Sequence, residues 1–283
     1  MSVGGLFVGL ATLDVVQRVD RLPAPDQKIV ATDTWLAAGG PAAVAAVAFA
    51  ARGGRARLWT ALGSTAAARL VASDLAGAGV EVVDAAPPGF ELAASTVLLD
   101  AGTGERAVVS GSKRTAGFGK IAGPDLSGVD VVLVDGHHAA LARSAALAAD
   151  GVPVVVDAGS HKPVFDDILP FASDIICSGD YARSGGLSPE ALLALGAHLV
   201  AVSHGGAALE WWTRGRSGTV RPRAVPVVDT VGAGDVLHGA YCFGLASGGD
   251  RMDALERAVE AATTRVQHLG PFAWRGMLRG TPA

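Results

Sequence analysis

Val228-Asp-Thr-Val-Gly-Ala-Gly-Asp-Val-Leu-His-Gly-Ala240 is the stretch on which the reading of this chain turns. A strand-like run ends at Val228, a glycine-containing turn follows, and the pattern predicts a helix from Asp235 to Ala246. Small residues at Gly232, Ala233 and Gly234 let backbone N–H groups approach an anion closely, and a helix N-terminus adds partial positive charge. Phosphate is the natural ligand of such a site. Asp235 falls in the first helical turn, where a carboxylate can take a proton from a hydroxyl that attacks phosphorus. The same N–H groups can stabilise charge on the group being transferred. On these residues alone, the segment is equally a plain glycine turn with Asp235 as a helix cap. It is not a Walker A loop, since no Gly-Lys-Ser/Thr follows. Nor is it the G-x-G-x-x-G of a dinucleotide site, which opens after a first strand.

The rest of the chain repeats a short β-branched run, a turn and an Ala-rich helical stretch. Strands are predicted at Leu6–Leu10, Arg57–Leu62, Val129–Asp135, Val152–Asp157, Asp174–Cys177 and His198–Ser203. Helices are predicted at Pro41–Arg52, Ala66–Ala78, His138–Ala149, Pro189–Leu195 and Met252–His268. Near-continuous apolar strands alternating with helices imply an α/β fold, a mostly parallel sheet covered on both faces. Residues 13–35 and 93–110 break this rhythm with half-polar alternating strands, the second read as a hairpin across Ala101–Gly104. They predict a small sheet inserted into one domain spanning 1–283. It would be a lid over a site, an edge extension or a dimer sheet.

With 283 residues, half of them apolar and 18% charged, the chain can bury a large core and is not disordered. Its longest apolar stretch, Pro41–Ala51, is about half of a membrane span. The start lacks a signal-peptide pattern, so a soluble cytoplasmic protein is expected. A net charge of −4 gives no electrostatic case for nucleic acid or an acidic membrane. Cys177 and Cys242 form neither a disulfide framework nor a zinc spacing.

Asp229-Thr-Val-Gly-Ala-Gly-Asp235 resembles the D-T-x-G-A-G-D signature of the ribokinase-like (PfkB) carbohydrate kinases, and lies where that family carries it. Val236-Leu-His238-Gly-Ala240 resembles the ketohexokinase and sulfofructose kinase side of the family. Gly39-Gly-Pro-Ala-Ala-Val44 is similar to the family's G-G-x-x-x-N, and Gly9-Leu-Ala-Thr-Leu-Asp14 to its opening strand and sugar-binding aspartate. The resemblance spans essentially the whole chain. It implies a three-layer α/β/α core with a β lid made by the inserted strands. It also implies ATP-dependent phosphorylation of a hydroxyl on a sugar or sugar-like molecule.

Residue by residue, the resemblance implies Asp235 as the catalytic base, with Gly232, Ala233 and Gly234 as the anion hole. Asp14, Gly39 and Gly40 match sugar-contacting positions, although Asp14 also reads as a loop cap. A carboxylate suits a sugar because it accepts two hydroxyl hydrogen bonds at once. Ser203-His-Gly205-Gly resembles a segment along the nucleotide, with Thr230 also on ATP; a strand-end turn is the plainer reading. Cys177-Ser-Gly-Asp180 stands where the family has N-x-x-E, so Asp180 could hold Mg²⁺ through water. A monovalent cation such as K⁺ is expected around Asp229 and Thr230. The family's sugar-binding asparagine is Val44, which cannot hydrogen-bond a hydroxyl.

Weaker candidates are Lys113 and Arg114, which could read an anionic substituent or form a solvated loop. His137, His138 and Asp157 stand at strand ends. Trp211–Trp212 reads as a strand face or oligomer contact. The expected partners are a sugar-like substrate, ATP with Mg²⁺, and a second copy of the chain joined through the lid. A nucleoside kinase of the same fold and a non-catalytic nucleotide or sugar binder are the alternatives.

Overall fold

The computed structural model describes residues 2–111, 117–118 and 121–279. The strands are β1 (Gly4–Val8), β2 (Thr12–Val19), β3 (Asp33–Gly39), β4 (Arg55–Thr60), β5 (Val80–Asp84), β6 (Ala94–Asp100), β7 (Arg106–Ser110), β8 (Val131–Val134), β9 (Val154–Ala158), β10 (Asp174–Ser178), β11 (Leu199–Ser203), β12 (Leu209–Thr213) and β13 (Arg216–Val220). The helices are α1 (Pro41–Ala51), α2 (Ala66–Gly77), α3 (Ala139–Ala148), α4 (Phe165–Ile168), α5 (Gly179–Arg183), α6 (Pro189–Ala194), α7 (Ala233–Ala246), α8 (Arg251–Arg265) and α9 (Arg275–Leu278).

The large sheet has the order β13-β12-β11-β10-β9-β8-β1-β4-β5. From β5 to β11 every neighbouring pair is parallel, and β12 and β13 close one edge antiparallel. This is the expected α/β architecture. Val131–Val134 and Val154–Ala158 are buried along their whole length, as strands sandwiched between helical layers must be. Alternate residues serve opposite faces. Phe7, Leu133 and Ile176 pack in the core that includes α1, α7 and α8 residues, whereas Leu6, Val8, Val132 and Val134 pack with Leu141 and Ala145 of α3.

Helix α1 is rich in alanine because both sides are covered. Its Ala42, Ala43, Ala45, Ala46 and Ala48 are buried, and α7 lies so close that a Cβ on Gly239 would sit 2.1 Å from Ala45 O. Proline at its first helical position costs no hydrogen bond.

The two interrupting stretches form a separate four-stranded sheet in the order β3-β2-β6-β7. Strand β3 runs further than its half-polar pattern shows, to Gly39, because its last three residues turn inward and are buried. Strands β5 and β13 were not evident in the sequence, and of β12 only the Trp211–Trp212 strand face was. They are short, and β5 and β13 expose much of their length, so no apolar run marks them. Trp211 is a core strand face, nearly buried and packed where a Cβ on Gly218 would touch its ring at 2.7 Å.

The chain order reverses at β1. From β1 it proceeds outward through β4 and β5, then returns to β8 on the other flank and continues to β11. Open α/β sheets bind ligands at the carboxyl ends of the strands beside such a reversal. That is where Gly9, Asp135 and Asp157 stand.

Candidate active site

The 229–235 loop joins the core to the start of α7. Gly232 adopts φ 72° at the N-cap, a left-handed conformation that glycine takes without strain. Helix α7 therefore begins at Ala233, two residues before the predicted start. Gly234 and Asp235 fall in its first turn, where N–H groups have no intrahelical acceptor. Ala233 N–H reaches back to Thr230 O at 3.4 Å, and Val236 N–H makes the first helical bond to Gly232 O at 2.9 Å. The loop is anchored below by Asp229, whose carboxylate accepts from Val231 N–H at 2.8 Å and from Gly270 N–H at 3.0 Å. It also pairs with the buried Arg265 at 2.9 Å.

Asp235 is half-buried at the edge of this loop. Burial, and then the charge of Asp157, push its carboxyl up from 3.8 to about 7, against the opposing influence of His238 and Arg106. Asp157 is the penultimate residue of β9 and is itself buried. His238, one turn along α7, presents Nδ1 to Gly234 O at 2.7 Å. Its Nε2 faces Ile176 O at 3.2 Å and Asp157 Oδ1 at 3.5 Å. One ligand-type atom from each of Asp157, Asp235 and His238 lies within 4.8 Å of the other two.

Two depressions flank these groups. A cleft of about 500 Å³ opens over the ends of β8 to β10, where Asp135, His137, Asp157, Lys162, Asp180 and Arg183 mix both signs of charge. A smaller cavity lies between the small sheet, the 229–232 loop and the segment that follows α8. Asp14 and Gly39 form part of one wall, Val231 and Gly232 part of another, with Val44, Phe272 and Trp274 between. Asp14 and Gly39 are fitted together, for a Cβ on Gly39 would meet Asp14 Oδ2 at 2.0 Å. Burial pushes the Asp14 carboxyl up, opposed by hydrogen bonds from Thr12 and Ser95. Gly40, φ 96°, caps α1 where a Cβ would strike Leu10 O at 2.4 Å. Val44 reaches across to the loop, since a Cβ on Gly232 would touch its Cγ1 at 3.3 Å and Asp235 Oδ2 at 3.6 Å.

The sequence model of the pfkB family of carbohydrate kinases matches residues 6–273. The chain belongs to that family. Among solved structures it is similar to a ribokinase candidate from Agrobacterium tumefaciens, with 28% identity and a TM-score of 0.89, covering 98% of this chain and 96% of that one. It shares its fold with Arabidopsis thaliana ribokinase complexed with ribose and ATP, at 22% identity and TM-score 0.72, over 98% of each chain. The microbiome-derived acarbose kinase Mak1 matches at 20% identity and TM-score 0.79, over 95% and 94% of the two chains. Membership of the pfkB family implies ATP-dependent phosphotransfer to a hydroxyl of a small molecule, with magnesium as the usual companion of ATP.

In this pfkB chain, Asp235 and Gly232–Gly234 lie beside the cavity that carries Asp14 and Gly39. Gly40 caps the helix that bears Val44. His137 and Asp180 stand apart from that group in the charged cleft, beside Asp157. Asp180 is exposed and ion-paired to Arg183. Ser203 ends β11 and Gly205 turns after it; Ser203 O and His204 Nδ1 lie 3.7 and 3.5 Å from a Cβ placed on Gly179, so this turn abuts Asp180's segment. His204 pairs with Glu210 at 3.0 Å. Burial lowers the pKa of His138, which packs edge-on to Phe118. Cys177 is buried, and its thiol is pushed up to about 12, first by burial and then by the charge of Asp157. Lys113 and Arg114 lie outside the described residues. No described helix is long and apolar enough to cross a membrane.

Sequence reasoning missed three residues that shape this candidate site. Asp135 is buried at the end of β8 and accepts from the N–H groups of Leu10, Ala42 and His137. The run Val-Val-Leu-Val-Asp that carries it matches Val-Val-Val-Asp157, so the signal was present. Arg106 of β7 donates to Thr230 O and Oγ1, both at 3.2 Å, while Thr230 Oγ1 donates to Gly104 O at 2.9 Å. The small sheet is thereby tied to the loop. Arg265 sits on α8 and meets Asp229 only through the tertiary fold, which no local pattern reveals.

Proposed function

We propose that this chain is an ATP-dependent kinase that phosphorylates a hydroxyl of a sugar or sugar-like molecule, with Asp235 as general base. The observation that carries the reading is the placement of Asp235 in the first turn of α7, across a small cavity from Asp14. An acceptor held by Asp14 through two hydroxyls would present a third to Asp235. A carboxyl that titrates near 7 is matched to taking up a proton as that hydroxyl attacks the γ-phosphorus. The N–H groups of Gly232–Asp235 and the dipole of α7 would stabilise charge on the phosphoryl group.

Magnesium fits the hard oxygen donors of Asp157 and of Asp180 in the adjoining cleft. When bound, it would neutralise charge on the ATP phosphates. Ser203 and Gly205, with Thr230, are the residues proposed along the nucleotide. The small sheet would act as a lid. It excludes water once the acceptor is in place, and Arg106 and Gly104 hold its hairpin on Thr230. Its strands β3 and β7 expose Leu36 and Val109 on one face of the small sheet, a surface suited to a second copy of the chain. The finer likeness to the ketohexokinase and sulfofructose kinase branch rests on Val236–Ala240 alone.

One observation favours a second acceptor class. Beyond Asp14 the cavity wall is Val16, Val44, Phe272 and Trp274, with the Trp35 ring against Gly270. A wall of this chemistry suits a diol with an apolar body, such as a nucleoside, once the small sheet moves to widen a cavity of about 30 Å³. The test is mass spectrometry of products after incubation with Mg·ATP and a panel of sugars, sugar acids, polyols and nucleosides. A phosphorylated sugar supports the primary reading and a nucleoside monophosphate the second. No product from any acceptor, despite ATP binding, overturns both.

A further inference from the structure

The resemblance that identified the loop implies a monovalent cation beside Asp229 and Thr230. The residues present do not fit one. Asp229 is 1% exposed and its carboxylate holds three N–H donors: Val231 on Oδ1, and Gly270 and Arg265 Nη2 on Oδ2. Arg265 is 2% exposed and sends Nη1 to His268 O at 2.7 Å and toward Asp229 O at 3.4 Å. Thr230 is engaged in the same way. Its carbonyl faces Arg106 Nη1 and Ala233 N–H, and its hydroxyl lies between Arg106 and Gly104 O. A potassium ion needs a shell of oxygen lone pairs. Here N–H donors point at those oxygens, three of them from two guanidinium groups that an added cation would meet at close range.

We infer that Arg265 is the fixed cation of this loop, so that the protein needs no monovalent-ion activator. It acts as a positioning residue. The guanidinium fork binds the Asp229 side chain, the Asp229 backbone and the carbonyl of His268, locking the base of the loop whose N–H groups face the phosphate. Unlike a bound ion, it cannot dissociate. The inference rests on the reading of 229–235 as a phosphate loop only in its nucleotide arm.

The test compares wild type and Arg265→Met in KCl and in tetramethylammonium chloride of equal ionic strength. Three quantities are read: the unfolding temperature, the affinity for a non-hydrolysable ATP analogue, and rubidium anomalous scattering in crystals. The wild type should show the same unfolding temperature and affinity in both salts, and no rubidium peak at Asp229. Arg265→Met should bind the analogue at least about tenfold more weakly in tetramethylammonium, the worth of a lost charge-assisted hydrogen bond. Potassium should restore part of that affinity, a response that a purely structural arginine would not create. Should this variant fail to fold, Arg265→Lys keeps the charge but not the fork. It should bind the analogue more weakly, equally in both salts. A wild type stabilised or tightened by potassium, a rubidium peak at its Asp229, or an Arg265→Met protein indifferent to potassium overturns the inference. Absence of analogue binding in every salt refutes the phosphate loop itself, and the stability and scattering arms still decide the role of Arg265.

Discussion

Asp235→Asn should make the folded protein more stable above neutral pH, and the gain should vanish in acid. Asp235 ionises into a half-buried setting beside Asp157, and its carboxyl is displaced from 3.8 to about 7. The folded state therefore holds this proton more tightly than the unfolded chain does. Below about pH 4 the group is protonated in both states and contributes nothing. As pH rises toward 7 the unfolded chain releases the proton first, and the folded state loses stability by the difference. Above about 7 the loss levels off, at up to about 4 kcal/mol for this displacement. An asparagine keeps the shape and removes the charge, so the variant escapes this cost. Thermal unfolding at about pH 5 and pH 8 is the assay. The variant should exceed wild type by roughly 5–10 °C at the higher pH and by much less at the lower. A variant that is less stable at pH 8, or a difference that does not grow with pH, would refute the electrostatic account of Asp235.

Asp157→Asn removes the like charge nearest Asp235, so the acidic limb of the kcat/KM profile should move down by roughly one pH unit; an unmoved limb separates the two groups. Gly39→Ala drives a Cβ into the Asp14 carboxylate, 2.0 Å away in the present geometry. Acceptor affinity should fall by at least roughly tenfold while affinity for an ATP analogue holds, because only one wall of the cavity is disturbed. Calorimetry with each ligand checks this, and equal losses for both ligands would argue against it. Arg106→Ala removes one of the two ties between the hairpin and Thr230, leaving Gly104 O, and should raise KM for the acceptor roughly fivefold to tenfold, in line with the loss of an exposed charged hydrogen bond. It should also increase ATP hydrolysis without acceptor, read from ADP release.

The parallel core was legible because its strands are buried on both faces. Runs such as Val-Val-Leu-Val and Val-Val-Val leave no polar face, and α1 could be read from Ala-rich residues closed by Arg52. The loop at 229–235 was legible for a different reason. A left-handed glycine, small neighbours and a first-turn aspartate are all local requirements, so they stay adjacent in the chain. What was not legible depends on contacts between distant segments. Arg265 and Asp229 are 36 positions apart, and Arg106 reaches Thr230 across 124. Neither arginine differs in its local sequence from one on a solvated surface. Helix α8 also stops at Arg265, earlier than its apolar period suggests, with the His268 ring Nδ1 set 2.8 Å from Thr264 O in the last turn. Of the edge hairpin only the Trp211–Trp212 face of β12 was legible, because β13 lies mostly open to solvent and carries little apolar signal.

The central claim is that Asp235 takes the proton from the acceptor hydroxyl. It is tested most directly by the single-turnover rate of phosphoryl transfer in Asp235→Asn, measured with saturating Mg·ATP and the acceptor that the panel identifies. The account predicts a fall of roughly 10²–10⁴-fold with the affinity for an ATP analogue preserved. Transfer at close to the wild-type rate would contradict it.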